Sequence, residues 1–341
     1  MLTIDGSMGE GGGQVLRSSL TMSTLTGKPF HIKNIRAGRK KPGLMRQHLT
    51  AVLAASEVSS AKVDGAEIGA TRLDFIPGSI NAGDYRFTIA TAGSCTLVFQ
   101  TILPALLTAA KPSILHLEGG THNPLAPPYD FLQKSFVPIL CRMGAGIKTT
   151  LLRPGFYPAG GGYFRVEIEP VQELKPIELH DRGNALSFTA KAYISRLHEN
   201  IARRELGVVE KKLGWDINSL EVVTVTNSRG PGNILSLELE YEHVTEICTG
   251  FGSRGVPAEK VAAVAVKEAK RYINSTMPVG RFLADQLLIP FSMAGGGSFN
   301  TLPLSRHTRT NIEVIAKFSE LPIHVDEYEK NRWRVLFGNG G

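Results

Sequence analysis

The chain is poor in cysteine. It has three in 341 residues (Cys95, Cys141 and Cys248), far apart and odd in number. That excludes a disulfide framework, and a reducing cytoplasm is the expected setting. No long apolar run exists either. The most apolar stretch, CTLVFQTILPALLTAA, is interrupted by Gln100 and Pro104 and is too short and polar to span a membrane. The opening MLTIDGSMGEGGG shows neither a basic leader nor an apolar core, so a signal peptide is not expected. No pair of histidines has H-E-x-x-H or similar spacing, which leaves no sequence-encoded zinc site. The clusters GEGGGQ, PAGGGY and AGGGSF match neither a Walker loop nor a clean G-x-G-x-x-G. Any ATP would therefore be bound outside a P-loop or Rossmann site.

What is present is an ordinary globular balance, 42% hydrophobic and 20% charged, long enough for one large domain or two. The net charge of +7 suits an acidic partner such as a nucleic acid or a nucleotide.

Three stretches share one order of elements. Each starts with a helix-like apolar run after glycine: GQVLRSSLTMSTL, GSCTLVFQTILPALL and GRFLADQLLIPFSM. Each continues into a short strand, a polar or proline-rich loop, a second helix and an alternating strand. Leu132, Phe136, Ile139, Leu140 and Met143 fall on one helical face. Phe164, Val166 and Ile168 alternate with charged residues, as do Trp333, Val335 and Phe337 with their neighbours, so one sheet face is buried. The reading is an α/β (α+β) protein. Three βαβαββ-type repeats, about 1–80, 81–170 and 278–341, build a large domain of residues 1–183 and 278–341. Residues 184–277 form a smaller inserted α/β domain, entered through LKPIELHDRGN.

The unusual residues fall in corresponding places on these repeats. From Lys33 to Arg46 there are six basic residues (Lys33, Arg36, Arg39, Lys40, Lys41 and Arg46) and no acidic one. A solvated basic loop and a phosphate-binding loop both fit, although Arg suits phosphate through its planar fork of donors. The first turns of the first helices carry Glu10, Gln14 and Arg17, then Gln100, then Asp285 and Gln286. An apolar helix burying its face has little structural use for Gln100 or Asp285, and a helix N-terminus after glycine is a natural anion site. In SRHTRTN, His307 lies between Arg306 and Arg309. Flanking cations favour a neutral imidazole, which could attack a phosphate held by the arginines. A solvated loop on a basic protein fits that stretch equally. His48, beside Arg46 and Gln47, is the other candidate. His31, His116 and His324 sit in strand-like stretches and read as structural. Asp130 and Asp285 could serve as carboxylates, but nothing in the sequence pairs them.

Together GEGGGQVLRSSL, IRAGRKKPGLMRQHLTA, DYRFTIATAGSCTLVFQTILPAL, GFYPAGGG, FLADQL and SRHTRTNI resemble the RNA 3′-terminal phosphate cyclases, in order and in register from the first residues past 310. The resemblance implies repeats like the C-terminal domain of translation initiation factor three, with a small domain inserted before the third. It implies ATP-dependent conversion of an RNA 3′-phosphate end to a 2′,3′-cyclic phosphodiester, with AMP and pyrophosphate released. His307 corresponds to the family's nucleophile, which carries AMP covalently. Glu10 matches a position associated with a divalent cation, Mg or Mn. Gln100 and the stretch Phe282, Leu283, Ala284, Asp285 and Gln286 match ATP-binding positions. Pro127 matches a proline that packs on adenine, and Arg17, Arg36, Arg39 and Gln47 match positions lining the phosphate site. Two positions depart from the pattern. Phe282 stands where well-known members have tyrosine, and Pro154 precedes GFYPAGGG where a basic residue is usual. The expected partner is RNA, with no membrane association and a possible homodimer. Two rivals share related repeats: a non-catalytic cyclase-like branch acting in ribosome assembly, and the enolpyruvyl transferases. The first would lack the nucleophile and ATP-site residues, yet His307, Gln100 and Asp285 are all here.

Overall fold

Strands that alternate apolar and polar residues bury one face, and each of three sheets does so against helices. A computed structural model describes residues 1–339. Its first sheet holds β1 (Leu2–Asp5), β2 (Phe30–Lys33), β3 (Lys62–Asp64) and β4 (Leu73–Ile76) in the order β1-β2-β4-β3. β1 and β2 are parallel and the other pairs antiparallel. Helix α1 (Gly13–Thr26) connects β1 to β2, and α2 (Arg46–Val58) connects β2 to β3. The second sheet repeats the design with β5 (Asp84–Thr88), β6 (Ser113–Gly119), β7 (Gly146–Arg153) and β8 (Gly162–Glu169), in the order β5-β6-β8-β7. Helix α3 (Cys95–Leu107) lies between β5 and β6. The second crossover is α4 (Tyr129–Phe131), a π turn at Leu132–Phe136, and α5 (Val137–Arg142).

After β9 (Glu178–Leu179) the chain departs to build a fourth sheet. This comprises β10 (Ala185–Ser195), β11 (Leu220–Thr224), β12 (Gly232–Tyr241) and β13 (Thr245–Phe251), in the order β11-β10-β12-β13, with α6 (Asn200–Leu213) and α7 (Ala258–Ser275). It then returns through α8 (Arg281–Met293), β14 (Gly297–Thr301), α9 (Arg306–Phe318), β15 (Ile323–Glu329) and β16 (Arg332–Phe337). The third sheet has the order β15-β16-β14-β9, with β9 and β14 parallel. The fold is α/β throughout, and three of its sheets share one strand order. The third sheet takes its first strand from residues 178–179, earlier than the start near 278 read from the sequence. Two residues are too few to show an alternation.

One apolar core runs through the three similar sheets, and a separate one, from Ala190 to Tyr272, fills the fourth. The two regions meet where Phe156 packs with Val225 and Ile234. Phe156 belongs to the glycine-rich stretch GFYPAGGG, and Gly232 lies against its ring, where a Cβ would collide. That stretch thus serves as a joint between the two regions.

Phe164 is fully buried, with ring centroids 6.0 Å from Phe99 and 5.6 Å from Tyr129. Phe164→Ala is expected to cost about 3–5 kcal/mol of unfolding free energy, read from urea denaturation. A loss under about 1 kcal/mol would mean this face is loosely packed.

Candidate active site

Two loops and a helix start converge on Glu10. Gly9 adopts φ +55 and lies against Thr310, where a side chain would collide. The loop is therefore laid on α9. There Glu10 N donates to Thr310 Oγ1 (3.2 Å), and Arg306 Nη2 donates to the Gly9 carbonyl (3.0 Å). The basic loop joins through Gly38 N to the Gly11 carbonyl (3.0 Å) and through an ion pair of Arg39 with Glu10 Oε2. The Glu10 carboxylate is nearly buried, and its Oε1 has no hydrogen-bond partner among the described residues. His307 Nδ1 stands 3.6 Å from that oxygen. His307 sits in the first turn of α9, which Ser305 caps by accepting from Thr308 N (3.0 Å). Its side chain is 52% exposed.

A chain of hydrogen bonds runs beside this point, every donor facing the same way. Arg17 Nη2 donates to Gln14 Oε1 (3.0 Å), and Gln14 Nε2 to Ser18 Oγ (3.3 Å). Ser18 donates to Asn311 Oδ1 (2.6 Å). Asn311 Nδ2 donates to both the carbonyl and Oδ1 of Asp285 (3.1 and 3.3 Å). Gln286 Nε2 approaches Asp285 Oδ2 at 3.3 Å. Burial pushes the Asp285 carboxyl up to about 6, against the pull of His307, Arg17 and the Asn311 hydrogen bond. Burial likewise pushes the Arg17 guanidinium down to about 10, opposed by Asp285 and Glu10, so it stays cationic at neutral pH.

Gln100 completes the cleft, and both its amide atoms are buried without a partner. Buried polar atoms are normally bonded, so these point to a ligand. Gln100 and Gln286 are each the sixth residue of their helix and are each followed four residues later by a proline, Pro104 or Pro290; all four line the cleft, together with Gln14 and Ser18 of α1. Each proline also removes the N–H that would bond the glutamine carbonyl four residues back.

The structure thus gathers Glu10, Arg17, Arg39, Gln100, Asp285, Gln286 and His307. Arg36 lies nearby at φ 56, and its Nη1 braces the basic loop through the Lys41 and Gly43 carbonyls (2.8 and 2.7 Å). His48 is buried. Burial first, then Arg17, Arg36 and Arg39, push it down to about 3, so it is neutral. Gln47 Oε1 accepts from Ser94 N (3.0 Å), tying the first unit to the start of α3. The Pro127 carbonyl accepts from Thr96 Oγ1 (2.8 Å) at that same helix start. Phe282 is 53% exposed, with the Arg281 guanidinium 4.4 Å from its ring centroid.

Several expectations change. Leu283 and Ala284 are fully buried in the core, so their side chains face away from the cleft. Arg306 and Arg309 do not flank the imidazole as the sequence reading expects. Arg306 holds the Gly9 carbonyl, and Arg309 lies 5.1 Å over the Trp333 ring. Successive helical positions point in different directions, and the charged neighbours recorded at His307 are the carboxylates of Glu10 and Asp285. Asp130 belongs to a separate network, 3.0 Å from His122 Nε2 and 3.2 Å from the Tyr193 hydroxyl. Gln14 stands in the sequence among the polar residues of the first helix turns without an assigned role, and Ser18 and Asn311 carry no such mark. The four-residue step from His307 to Asn311 is the signal the sequence offers.

A divalent cation fits here in a limited way. Among the described residues no group of three or more His, Cys, Asp or Glu side chains could enclose a metal. Glu10 Oε1 is one free carboxylate oxygen. That donor set suits a magnesium-like ion held by one carboxylate together with phosphate oxygens and water.

Because Asp285 is held above its ordinary 3.8, its neutral form favours folding. That contribution is complete at low pH and is lost as pH rises through about 6. Asp285→Asn should therefore gain stability relative to the parent as pH rises over this window, measured by denaturant unfolding at both ends. A constant difference would show that the carboxyl does not titrate in the folded chain.

A family model described as RNA 3'-terminal phosphate cyclase matches residues 8–325. Curated relatives carrying that name include one from Koribacter versatilis, 52% identical over 98% of this chain and 94% of its own. Another from Ralstonia nicotianae is 50% identical over 95% of this chain and 92% of its own. A third, from Ectopseudomonas mendocina, is 48% identical over 99% and 98%. A solved EPSP synthase from Acinetobacter baumannii aligns with 99% of this chain and 65% of its own, at 10% identity and a TM-score of 0.32, a likeness too slight to carry an argument. The matched span includes every site residue described above, and the chain belongs to the RNA 3′-terminal phosphate cyclase family.

Proposed function

We propose that this chain is an ATP-dependent, ligase-type cyclase acting on RNA 3′-phosphate ends through a covalent histidine–AMP intermediate. Residues 1–183 and 278–341 carry the site, and 184–277 form an inserted domain with its own core. The observation that carries the reading is His307 at a helix N-terminus, its Nδ1 facing the unpartnered Glu10 Oε1 at 3.6 Å. A carboxylate on that side favours the proton on Nδ1 and leaves the Nε2 lone pair free.

A phosphate monoester lacks a good leaving group, so activation is split into easier steps. Nε2 attacks the α-phosphorus of ATP, an N–P bond forms, and pyrophosphate leaves. An oxygen of the RNA 3′-phosphate then attacks the same phosphorus, breaking the N–P bond and giving an RNA adenylate. The 2′-hydroxyl attacks the 3′-phosphorus, AMP departs with the anhydride oxygen, and the hydroxyl proton passes to solvent. Gln100, Asp285 and Gln286 line the nucleotide cleft, with Phe282 and Pro127 as the apolar surfaces for adenine. Arg17 and Arg39 face the transferring phosphates. A divalent cation at Glu10 Oε1 would neutralise phosphate charge, the carboxylate having lone pairs for both the ion and the imidazole.

ATP labelled at the α-phosphate, with magnesium or manganese and no RNA, should leave label on the chain. The label should resist base and be lost in mild acid, as a phosphoramidate is. His307→Ala should abolish it with the fold intact. A folded, nucleotide-binding parent that takes no label would instead favour the non-catalytic, RNA-binding branch of the family.

Arg39→Ala should slow transfer from the chain to RNA by roughly 10²-fold and self-adenylylation much less. Equal slowing of both steps would remove Arg39 from the RNA phosphate site.

A further inference from the structure

Asn311 is 2% exposed and lies one helical turn beyond His307. Its orientation is fixed by chemistry. The Asp285 carbonyl can only accept, so the atom 3.1 Å from it is the N–H side of the amide. The amide oxygen therefore faces Ser18, whose hydroxyl donates to it at 2.6 Å. With both ends determined, the run from Arg17 through Gln14, Ser18 and Asn311 to Asp285 has one direction, from cation to carboxylate. Bonds aligned in this way strengthen one another, and those of Asn311 to Ser18 and Asp285 are buried. Asn311 is the one member on α9; Gln14 and Ser18 come from α1, and Asp285 from α8.

We infer that Asn311 is a positioning residue: its amide joins the helix carrying His307 to the helices carrying Arg17 and Asp285, and so holds the imidazole over the nucleotide cleft. This rests on the histidine–AMP reading. The imidazole itself is half exposed and makes no hydrogen bond among the described residues, so its placement depends on the register of its helix. A shift of about 1 Å at such a point is enough to cost roughly 10²-fold in rate. The groups facing Asp285 are His307 and Asn311 from α9, Arg17 from α1, Glu10 from the preceding loop and Gln286 beside it. Asn311 is the only neutral donor among them from α9, and its bond favours the ionised carboxylate.

The test is single-turnover self-adenylylation across about pH 5 to about pH 9 at varied ATP. It compares the parent, Asn311→Ala and Asn311→Asp, with unfolding midpoints recorded alongside. In Asn311→Ala the rate at saturating ATP should fall roughly 10²-fold, with little change in the ATP concentration for half-maximal rate. The acid limb should move to higher pH, because Asp285 has lost a donor to its charged form. Asn311→Asp keeps the shape and the Ser18 bond but faces Asp285 with a second carboxyl. One of the pair must hold a proton, so this variant should work at low pH and fail as pH rises. Either variant matching the parent in rate and pH profile overturns the inference, as does an Asn311→Ala loss that appears only in half-saturation. The parent's own labelling in the same assay reports separately on the histidine–AMP reading.

Discussion

A carboxylate enclosed between three helices must be compensated, and the compensation of Asp285 sets the geometry of the site. An uncompensated buried charge costs several kcal/mol. Here Arg17 acts on Asp285 through its charge, second to His307, and is linked to it through three intervening side chains. Each link fixes a relation between helices: Ser18 to Asn311 sets α1 against α9, and Asn311 to Asp285 sets α9 against α8. Breaking either buried bond of Asn311 leaves a partner unsatisfied, which costs more than the bond contributes. The chain therefore acts as a register device. The same burial that holds the Asp285 carboxyl up to about 6 makes the register depend on the Asn311 donor.

The helices meet there because three sheets share one strand order, and each first helix starts at the same end of its unit. The frame is close to symmetric, as the shared strand order shows, while the polar residues are divided among the units. The first unit brings Arg17, the basic loop and Glu10; the second brings Gln100; the third brings Asp285 and His307. The fourth sheet also touches this arrangement. Its Glu246 is buried against Gly280, the residue capping α8, and burial pushes its carboxyl up to about 8. Phe156, the Arg229–Glu118 pair at 2.5 Å and the Tyr193–Asp130–His122 network hold that sheet to the second unit.

Much of this was legible in the sequence because burial writes itself into periodicity. Phe164, Val166 and Ile168 alternate as a strand with one buried face must, and they lie in β8. Gln100 and Asp285 stood out as polar residues on apolar helices, and both line the cleft. What was not legible depended on direction and on very short elements. Strand β9 is two residues, too short for any pattern. Arg309 reads as a neighbour of His307 in a string of letters, but on a helix it points to Trp333. Leu283 and Ala284 sit inside a motif whose alternate faces go to the core. Asn311 carries no charge and no reactive atom, and beyond its four-residue step from His307 its place is revealed by two bonded partners, Ser18 and Asp285, distant in sequence.

The choice between the two candidate histidines shows which physical criterion matters. The family resemblance points to His307, and the adjacent arginines offer a reason for its imidazole to stay neutral. In the structure it is His48 that three arginines and burial hold neutral, down to about pH 3. Protonation state alone would thus point to His48 rather than to the proposed His307. A nucleophile also needs room for a phosphorus atom in line with its lone pair. His48 is 5% exposed, its Nδ1 is sealed without a partner, and its Nε2 lies against Gly13. His307 is half exposed at a helix N-terminus, beside an acceptor that can take its Nδ1 proton side. Access and orientation favour His307. They assign His48 to the floor beneath the arginines, where a neutral ring adds no further positive charge to an already cationic cluster.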